Sequence, residues 1–194
     1  VMSRKTIGLA MCGSFCTFSR VLDAFERLRA DYDLVPVLSE ASFKTDSRFG
    51  SAEAFRTRLE ELCGRAAIHT IEDAEPIGPK KLLDALVIAP CTGNTLAKLA
   101  AGIADGPVTL AAKAHLRNER PLILAVSTND ALAVNAASIG TLLARRHCYF
   151  VPFGQDSAVK KPRSAVADFD LLPETIAAAL AGEQLQPILI APKL

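Results

Sequence analysis

Residues 86–104 read LVIAPCTGNTLAKLAAGIA, and this stretch decides the fold. Its opening run, residues 86–89, is continuously apolar, as is typical of a parallel strand that is covered on both faces. Small polar residues follow, and a helical pattern then runs over residues 94–104. Residues 122–126 repeat this arrangement, with polar residues after them and a helical pattern over 130–145. Strands that alternate with helices predict an α/β protein with an open parallel sheet and helices on both faces.

The rest of the chain continues the alternation of strands and helices. Further strands are predicted at residues 5–12, 34–38, 67–71 and 148–151, although Pro36 weakens the second because proline cannot donate to a ladder. Further helices are predicted after a break at Gly13, from a Ser51 cap to residue 64, over residues 107–116, and from Pro173 to residue 182. The polar residues 39–50 are predicted to form a loop.

The chain is predicted to be one domain over residues 1–194, because no internal repeat or low-complexity linker divides it. Residues 154–170 show no hydrophobic period, and a segment of that length is more often a functional lid than a passive connector. A C-terminal helix and tail are predicted over 172–194. The tail, from residue 183, is expected either to dock on a neighbour or to fray.

Composition excludes several classes of protein. Lys plus Arg is 22 and Asp plus Glu is 21, so the net charge of +1 argues against a general nucleic-acid binder. No apolar run approaches the roughly 20 residues of a membrane helix. The five cysteines form no C-x-x-C pair and the three histidines have no metal-ligand spacing, so no metal site is expected. Free cysteines fit a reduced, cytoplasmic compartment.

Ligands of such sheets bind beyond the carboxyl ends of the strands, so the residues there are the candidates for a site. Gly13 and Ser14 follow the first strand and open a helix, an arrangement that suits a phosphate or is merely a capped turn. No lysine follows them as nucleoside triphosphate hydrolysis would require, and no G-x-G-x-x-G is present. Glu40 lies where a ribose-binding acid would sit, or it is an exposed loop residue.

Hydroxyl and amide side chains follow the two strongest strands. Such neutral donors suit a flavin or a polar planar ring better than a metal. They can also be helix caps. The candidates are Thr92, Asn94 and Thr95 after the first of these strands, and Ser127, Thr128 and Asn129, followed by Asp130, after the second. Gly93 lies within the first set and would allow the backbone to approach a ligand closely.

Three further features each allow two interpretations. Cys91 is a nucleophile near a helix start or a packing residue, and no histidine is positioned by sequence to activate it. His69 is a ligand-binding or a structural residue. The cationic cluster of the aperiodic segment attracts an anionic substrate or is a solvated surface, and it comprises Lys160, Lys161 and Arg163.

The residues 90–105, PCTGNTLAKLAAGIAD, resemble the P-x-[ST]-x-N-T-x-x-K-x-A-x-G-x-x-D signature of the FMN-binding flavoprotein superfamily. The resemblance extends over nearly the whole chain. It implies a three-layer α/β/α, flavodoxin-like or Rossmann-like fold, homo-oligomers and FMN as cofactor. It places Gly13, Ser14 and Phe15 by the phosphate, with Ser39 nearby. It places Pro90, Thr92, Asn94 and Thr95 against the flavin or its ribityl chain, and Ser127, Thr128 and Asn129 beside the ring or the substrate.

The resemblance also implies an activity. It points to the branch of the superfamily that works with a dehydrogenase-like partner subunit, which brings NADP, to oxidise a cyclic dihydrodipicolinate precursor to dipicolinate during sporulation. Lys160, Lys161 or Arg163 would then meet the small dicarboxylate substrate, and no catalytic base is assigned. The alternatives are an FMN-dependent decarboxylase and a non-catalytic scaffold subunit. Against the decarboxylase, Pro76 stands where those enzymes carry a histidine.

Overall fold

The apolar run around Leu86 forms the centre of a seven-stranded sheet in the computed structural model, which describes residues 4–191. The strand order is β2-β1-β3-β4-β7-β6, and β5 also pairs with β4. The strands are β1 (Thr6–Met11), β2 (Asp33–Leu38), β3 (Ala85–Cys91), β4 (Leu122–Thr128), β5 (Cys148–Phe150), β6 (Phe153–Ser157) and β7 (Lys161–Ala167).

Eight α-helices of the described chain cover the two faces of this sheet. They are α1 (Phe18–Glu26), α2 (Glu40–Lys44), α3 (Ala52–Cys63), α4 (Ile71–Ala74), α5 (Gly93–Ala101), α6 (Pro107–Arg117), α7 (Ala136–Leu143) and α8 (Leu172–Leu180). Helices α1 and α8 pack on one face, and α5, α6 and α7 pack on the other. The predicted three-layer, flavodoxin-like fold is therefore confirmed. No helix within residues 4–191 has the length and apolarity needed to cross a bilayer.

The parallel part of the sheet consists of β2, β1, β3, β4 and β5. Every residue of β3 is buried, which explains its continuous apolar run. Pro36 is tolerated inside β2 because β2 is an edge strand, whose outer side forms just one β-bridge within residues 4–191, to Ile68. The Pro36 carbonyl accepts a hydrogen bond from the Ile68 amide at 2.9 Å, so the missing N–H faces away from β1.

Two short segments differ from the sequence prediction. The predicted strand 67–71 is wrong except for this single bridge at Ile68, because Thr70 caps α4 by accepting a hydrogen bond from the Asp73 amide at 3.1 Å. The predicted loop 39–50 contains α2. Ser39 caps that helix by accepting from the Ser42 amide at 3.2 Å.

The predicted helix 130–145 begins later than expected, at Ala136. Asp130 accepts hydrogen bonds from the Thr128 hydroxyl at 2.5 Å and the Asn135 amide at 2.8 Å. These contacts hold residues 129–135 in turns, and local side-chain bonding of this kind competes with helix formation.

The predicted aperiodic segment 154–170 is wrong as a secondary-structure assignment, because it forms most of a β-hairpin. Strand β7 runs antiparallel to both β6 and β4, so the sheet is mixed at this end. Val166 pairs with Ser127, whereas residues 161–163 extend past the end of β4 and are exposed. A strand pair that is solvated on both sides near its tip does not need the apolar alternation by which strands are identified.

The tail folds back on the edges of the sheet. The Gln184 side chain accepts a hydrogen bond from the Phe150 amide and donates one to the Phe150 carbonyl, both at 2.7 Å. The Ile190 amide donates to the Phe153 carbonyl at 3.1 Å. The tail thus contacts its own sheet, at least as far as it is described, and its residues 192–194 lie outside the described residues.

Candidate functional site

A cleft of about 910 Å³ opens at the carboxyl ends of β1, β2 and β3. Gly13 follows β1, Ser39 follows β2 and Thr92 follows β3, so three separate loops bring their polar groups together here. The α5–α6 connection and the segment before α4 supply the other walls. The lining residues that carry the argument below are Cys12, Gly13, Ser39, Lys44, His69, Thr92, Asn94, Thr95, Lys98 and Asp105.

The N-terminus of α5 opens into this cleft. Thr92 is the cap residue, because its hydroxyl accepts a hydrogen bond from the Thr95 amide at 3.3 Å. The Thr92 and Thr95 hydroxyls lie 3.0 Å apart. Asn94, which the sequence left open as a cap, is exposed and its side chain makes no hydrogen bond to any other described residue. Its amide is therefore available to a ligand, next to the positive end of the helix dipole.

The loops after β1 and β2 lie in direct contact. The Ser42 hydroxyl donates to the Met11 carbonyl at 3.0 Å and lies 2.9 Å from the Ser39 hydroxyl. A Cβ added to Gly13 would lie 3.3 Å from the Ala41 Cβ and 3.5 Å from the Phe15 ring. Glycine at this position therefore lets the two loops approach each other closely, which keeps the backbone at the wall of the cleft accessible.

Several of the predicted site residues do not line the cleft. The Ser14 and Ser127 hydroxyls lie 2.8 Å apart and link the β1 loop to the end of β4. The Phe15 ring packs against Phe18, with ring centroids 5.2 Å apart. Pro90 is buried within β3, and Asn129 is exposed after β4. The structure thus brings Gly13, Ser39, Thr92, Asn94 and Thr95 together and leaves the remaining candidates around them.

Thr128 belongs to a polar network on the other side of α5. The Asp130 carboxylate joins Thr128 and Asn135, and a Cβ added to Gly93 would lie within 2.5 to 2.7 Å of all three side chains. The Asn135 Oδ1 atom is buried with no hydrogen-bond partner among the described residues. This network packs the start of α5 against the turn before α7.

Two ion pairs lie in the wall of the cleft. Lys98 forms an ion pair with Asp105 at 2.8 Å, and Lys44 forms one with Glu40 at 3.0 Å. The hydrogen bond from Lys98 lowers the pKa of the Asp105 carboxyl. The predicted cationic cluster lies elsewhere, on the β6–β7 hairpin, where Lys161 pairs with Asp156 at 2.9 Å and Lys160 and Arg163 are exposed. In the described chain, no cluster of side chains is suited to a metal ion.

The two buried thiols next to the cleft are poor nucleophiles. Burial raises the pKa of Cys12 to about 11, against the opposing effect of hydrogen bonds from Thr95 and Thr92. Burial also raises the pKa of Cys91 well above its usual value. Both thiols are protonated at neutral pH, and only the thiolate attacks. The packing role is therefore the better interpretation of Cys91.

His69 lies in the wall of the cleft, where sequence alone favoured a structural residue. Its ring stacks on Phe43 with centroids 3.8 Å apart and planes 4° apart. The Arg56 guanidinium covers Phe43, at 4.9 Å from the ring centroid. The Nδ1 atom lies 3.2 Å from the Ala67 carbonyl oxygen. Of the other histidines, His115 is buried under β4, where it bonds the Pro121 carbonyl at 2.8 Å.

Sequence reasoning missed three parts of the wall. Lys98 and Asp105 lie within the signature stretch, and their spacing was visible, but nothing in the sequence showed that they pair across the α5–α6 turn. Residues 106–109 line the cleft because that turn folds α6 back beside α5. The position of His69 depends on the edge bridge at Ile68, which lies in the predicted strand 67–71, but the sequence did not show that this bridge brings His69 into the wall of the cleft.

These features define a flavodoxin-like α/β protein with a polar cleft at the carboxyl ends of its parallel strands, and the comparisons agree with this fold. The chain belongs to the Flavoprotein family, whose profile matches residues 2–147. It is 46% identical over 187 residues to the B subunit of dipicolinate synthase from Bacillus subtilis (strain 168), and the match covers 96% of this chain and 94% of that protein.

Solved structures give the same result. The crystal structure of the dipicolinate synthase B subunit from Bacillus halodurans has a TM-score of 0.89 and 42% sequence identity, and the match covers 97% of each chain. The FMN-dependent cysteine decarboxylase SpaF has a TM-score of 0.65 at 24% identity, over 93% of this chain and 98% of that one. The second likeness shows the shared fold.

Proposed function

We propose that this chain is the flavin-carrying subunit of a dipicolinate synthase. The observation that carries the proposal is the cleft, in which five of the residues expected to bind FMN meet at the carboxyl ends of three parallel strands. The similarity to a known dipicolinate synthase subunit over nearly the full length of both chains supports the choice of reaction.

The residues of the cleft fit FMN. Its volume of about 910 Å³ is at the upper end of ordinary ligand pockets. Gly13 and Ser39 would hold the phosphate with backbone amides and a hydroxyl, and Thr92, Asn94 and Thr95 would hold the ribityl chain or ring. Ser14, Phe15, Pro90, Ser127 and Thr128 would support these groups from outside the wall, whereas Asn129, a further candidate, is exposed after β4 and outside the cleft lining. When bound, FMN supplies a two-electron acceptor.

The proposed reaction is the oxidation of a cyclic dihydrodipicolinate precursor to dipicolinate, together with the dehydrogenase-like partner of the synthase, which brings NADP. Because Lys44 and Lys98 are each paired with a carboxylate, the groups of the cleft that remain to bind an anion are its hydroxyls, its amides and the N-terminus of α5.

A homo-oligomer is part of the proposal, as is a single domain over residues 1–194. Exposed apolar side chains around α7 offer a surface for self-association, and they are Leu132, Val134 and Leu143.

The first experiment is to mix the purified chain with FMN, remove unbound FMN by gel filtration and record the visible spectrum. We expect retained flavin. Asn94→Ala should weaken FMN binding about 5- to 30-fold, because it removes an amide worth roughly 1 to 2 kcal/mol to a bound ligand.

Asn129→Ala is the matched control, since Asn129 is an exposed asparagine that does not line the cleft. Its dissociation constant for FMN should stay within about twofold of the wild-type value. A wild-type chain that retains no flavin, alone or with the dehydrogenase-like partner, would contradict the proposal and favour the scaffold role. If Asn94→Ala and Asn129→Ala lose FMN affinity equally, the flavin binds at a place other than the cleft.

A further inference from the structure

The proposed oxidation needs a base that neither the sequence nor the family profile names. When a dihydropyridine ring becomes aromatic, it loses one hydride and one proton. The hydride passes to a flavin or nicotinamide acceptor, and the proton must go to a base within hydrogen-bond reach. The inference that follows rests on the proposed function and identifies that base.

Most titratable groups of the cleft are unsuited to this role. The Cys12 thiol is buried, and its pKa of about 11 keeps it protonated. Asp105 and Glu40 are held in ion pairs by Lys98 and Lys44. Glu72 lies at the exposed rim, at the start of α4.

His69 has the geometry of a base. A carbonyl oxygen can only accept, so the contact of 3.2 Å to Ala67 places the proton of the neutral ring on Nδ1. The Nε2 atom then carries the lone pair, and it has no hydrogen-bond partner among the described residues. Stacking on Phe43, which Arg56 covers in turn, fixes the plane of the ring. Such a fixed tautomer with one open nitrogen is the arrangement found in histidine bases.

We infer that His69 is the proton acceptor of the reaction. Its Nε2 takes the ring proton of the dihydrodipicolinate-type substrate as the hydride leaves, which converts the neutral imidazole into an imidazolium. The charged groups that line the cleft with it include Glu40 and Lys44 on α2 and Glu72 on α4. On α3, Arg56 covers the Phe43 ring and Glu60 accepts a hydrogen bond from the Ala67 amide. The carboxylates of the aromatic product then stabilise the imidazolium.

The kinetic test compares His69→Gln with wild type in the complex with the dehydrogenase-like partner, NADP and FMN. Glutamine keeps a polar amide at this position but is not a base at neutral pH. We expect kcat to fall about 10²- to 10⁴-fold with KM little changed, and the acidic limb of the pH–rate profile to disappear. His69→Gly should regain activity when imidazole is added. A fall in kcat of less than tenfold, or a retained acidic limb, would overturn the inference.

A binding test needs no turnover. Titration calorimetry of dipicolinate into the same complex at pH 8, in buffers of different ionisation enthalpy, measures the protons taken up. An adjacent dianion favours the protonated form of an imidazole, so dipicolinate should bind to wild type with net uptake of protons. His69→Gln should lose this uptake, and His147→Asn, which changes a histidine just before β5, should keep it.

The two proposals fail in different ways. A wild-type complex that forms dipicolinate, with equal proton uptake in wild type and His69→Gln, refutes the base and leaves the proposed function standing. A wild-type complex that neither binds nor forms dipicolinate refutes both.

Discussion

Single residues around α5 determine how closely its N-terminus packs. Gly93 is the first residue of the helix, and the Thr128, Asp130 and Asn135 side chains occupy the space that any side chain there would need. The sequence indicated this glycine as a point of close approach to a ligand. In the structure, the close approach is to the protein's own polar network.

Gly93→Ala should therefore destabilise the chain by about 1 to 3 kcal/mol, because the added methyl group would push apart hydrogen-bonded side chains. Gly140→Ala is the control. Gly140 is an exposed glycine of α7 with nothing within 4 Å of an added Cβ, so this change should stabilise by about 0.5 to 1 kcal/mol. Urea unfolding of both variants measures the difference. If Gly93→Ala and wild type have the same free energy of unfolding, the Thr128, Asp130 and Asn135 side chains can rearrange around the added methyl group without cost.

Elements differ in how well local sequence specifies them. The buried parallel strands and long helices were predictable because burial on both faces and helix caps leave strong local patterns. The β6–β7 hairpin and α2 were not, since their exposed residues carry no period. The same distinction between local pattern and packing applies to the site. Its residues at the strand ends were predictable, because they follow directly from the strands. His69 was a candidate whose place in the wall was not predictable, and the Lys98–Asp105 pair was not predictable at all, because both depend on how separate elements pack.

The cationic cluster of the β6–β7 hairpin lies beyond the end of β4, whereas the cleft lies at the carboxyl ends of β1 to β3. The double variant Lys160→Ala/Arg163→Ala should therefore change the FMN dissociation constant by less than about twofold. Lys98→Met should raise it about 2- to 5-fold, because Asp105 would be left in the wall as an unpaired carboxylate that repels the anionic cofactor. Fluorescence titration with FMN measures both. A larger effect of the hairpin variant would place those cations at the cofactor.

The stability of the whole molecule depends on pH through one buried histidine. His115 is 1% exposed, and burial lowers its pKa from 6.5 to about 4. Below pH 6.5 the unfolded chain binds a proton that the folded chain does not, so stability is complete above pH 6.5 and falls as the pH drops towards 4.

The unfolding free energy of the FMN-free chain should thus decrease by about 2 kcal/mol between pH 7 and pH 5 from this group. His115→Gln can keep a donor to the Pro121 carbonyl but does not titrate, so its decrease should be smaller by that amount. Urea unfolding at the two pH values provides the measurement, with His147→Asn as a control that keeps the wild-type slope. An unchanged slope in His115→Gln would assign the acid sensitivity to other groups.

At each edge of the sheet, a segment that is not one of its named strands bonds to the edge strand. Ile68 bridges to β2, the Gln184 amide bonds both backbone groups of Phe150 in β5, and Leu189 bridges to β6. An unpaired edge strand can pair with a strand of another molecule, and repetition of this pairing produces open-ended polymers. Copies of this chain cannot readily join by extending their sheets. Any assembly it forms should be a finite one that meets through helices and loops, and truncation of the tail before Gln184 should convert soluble protein into aggregates.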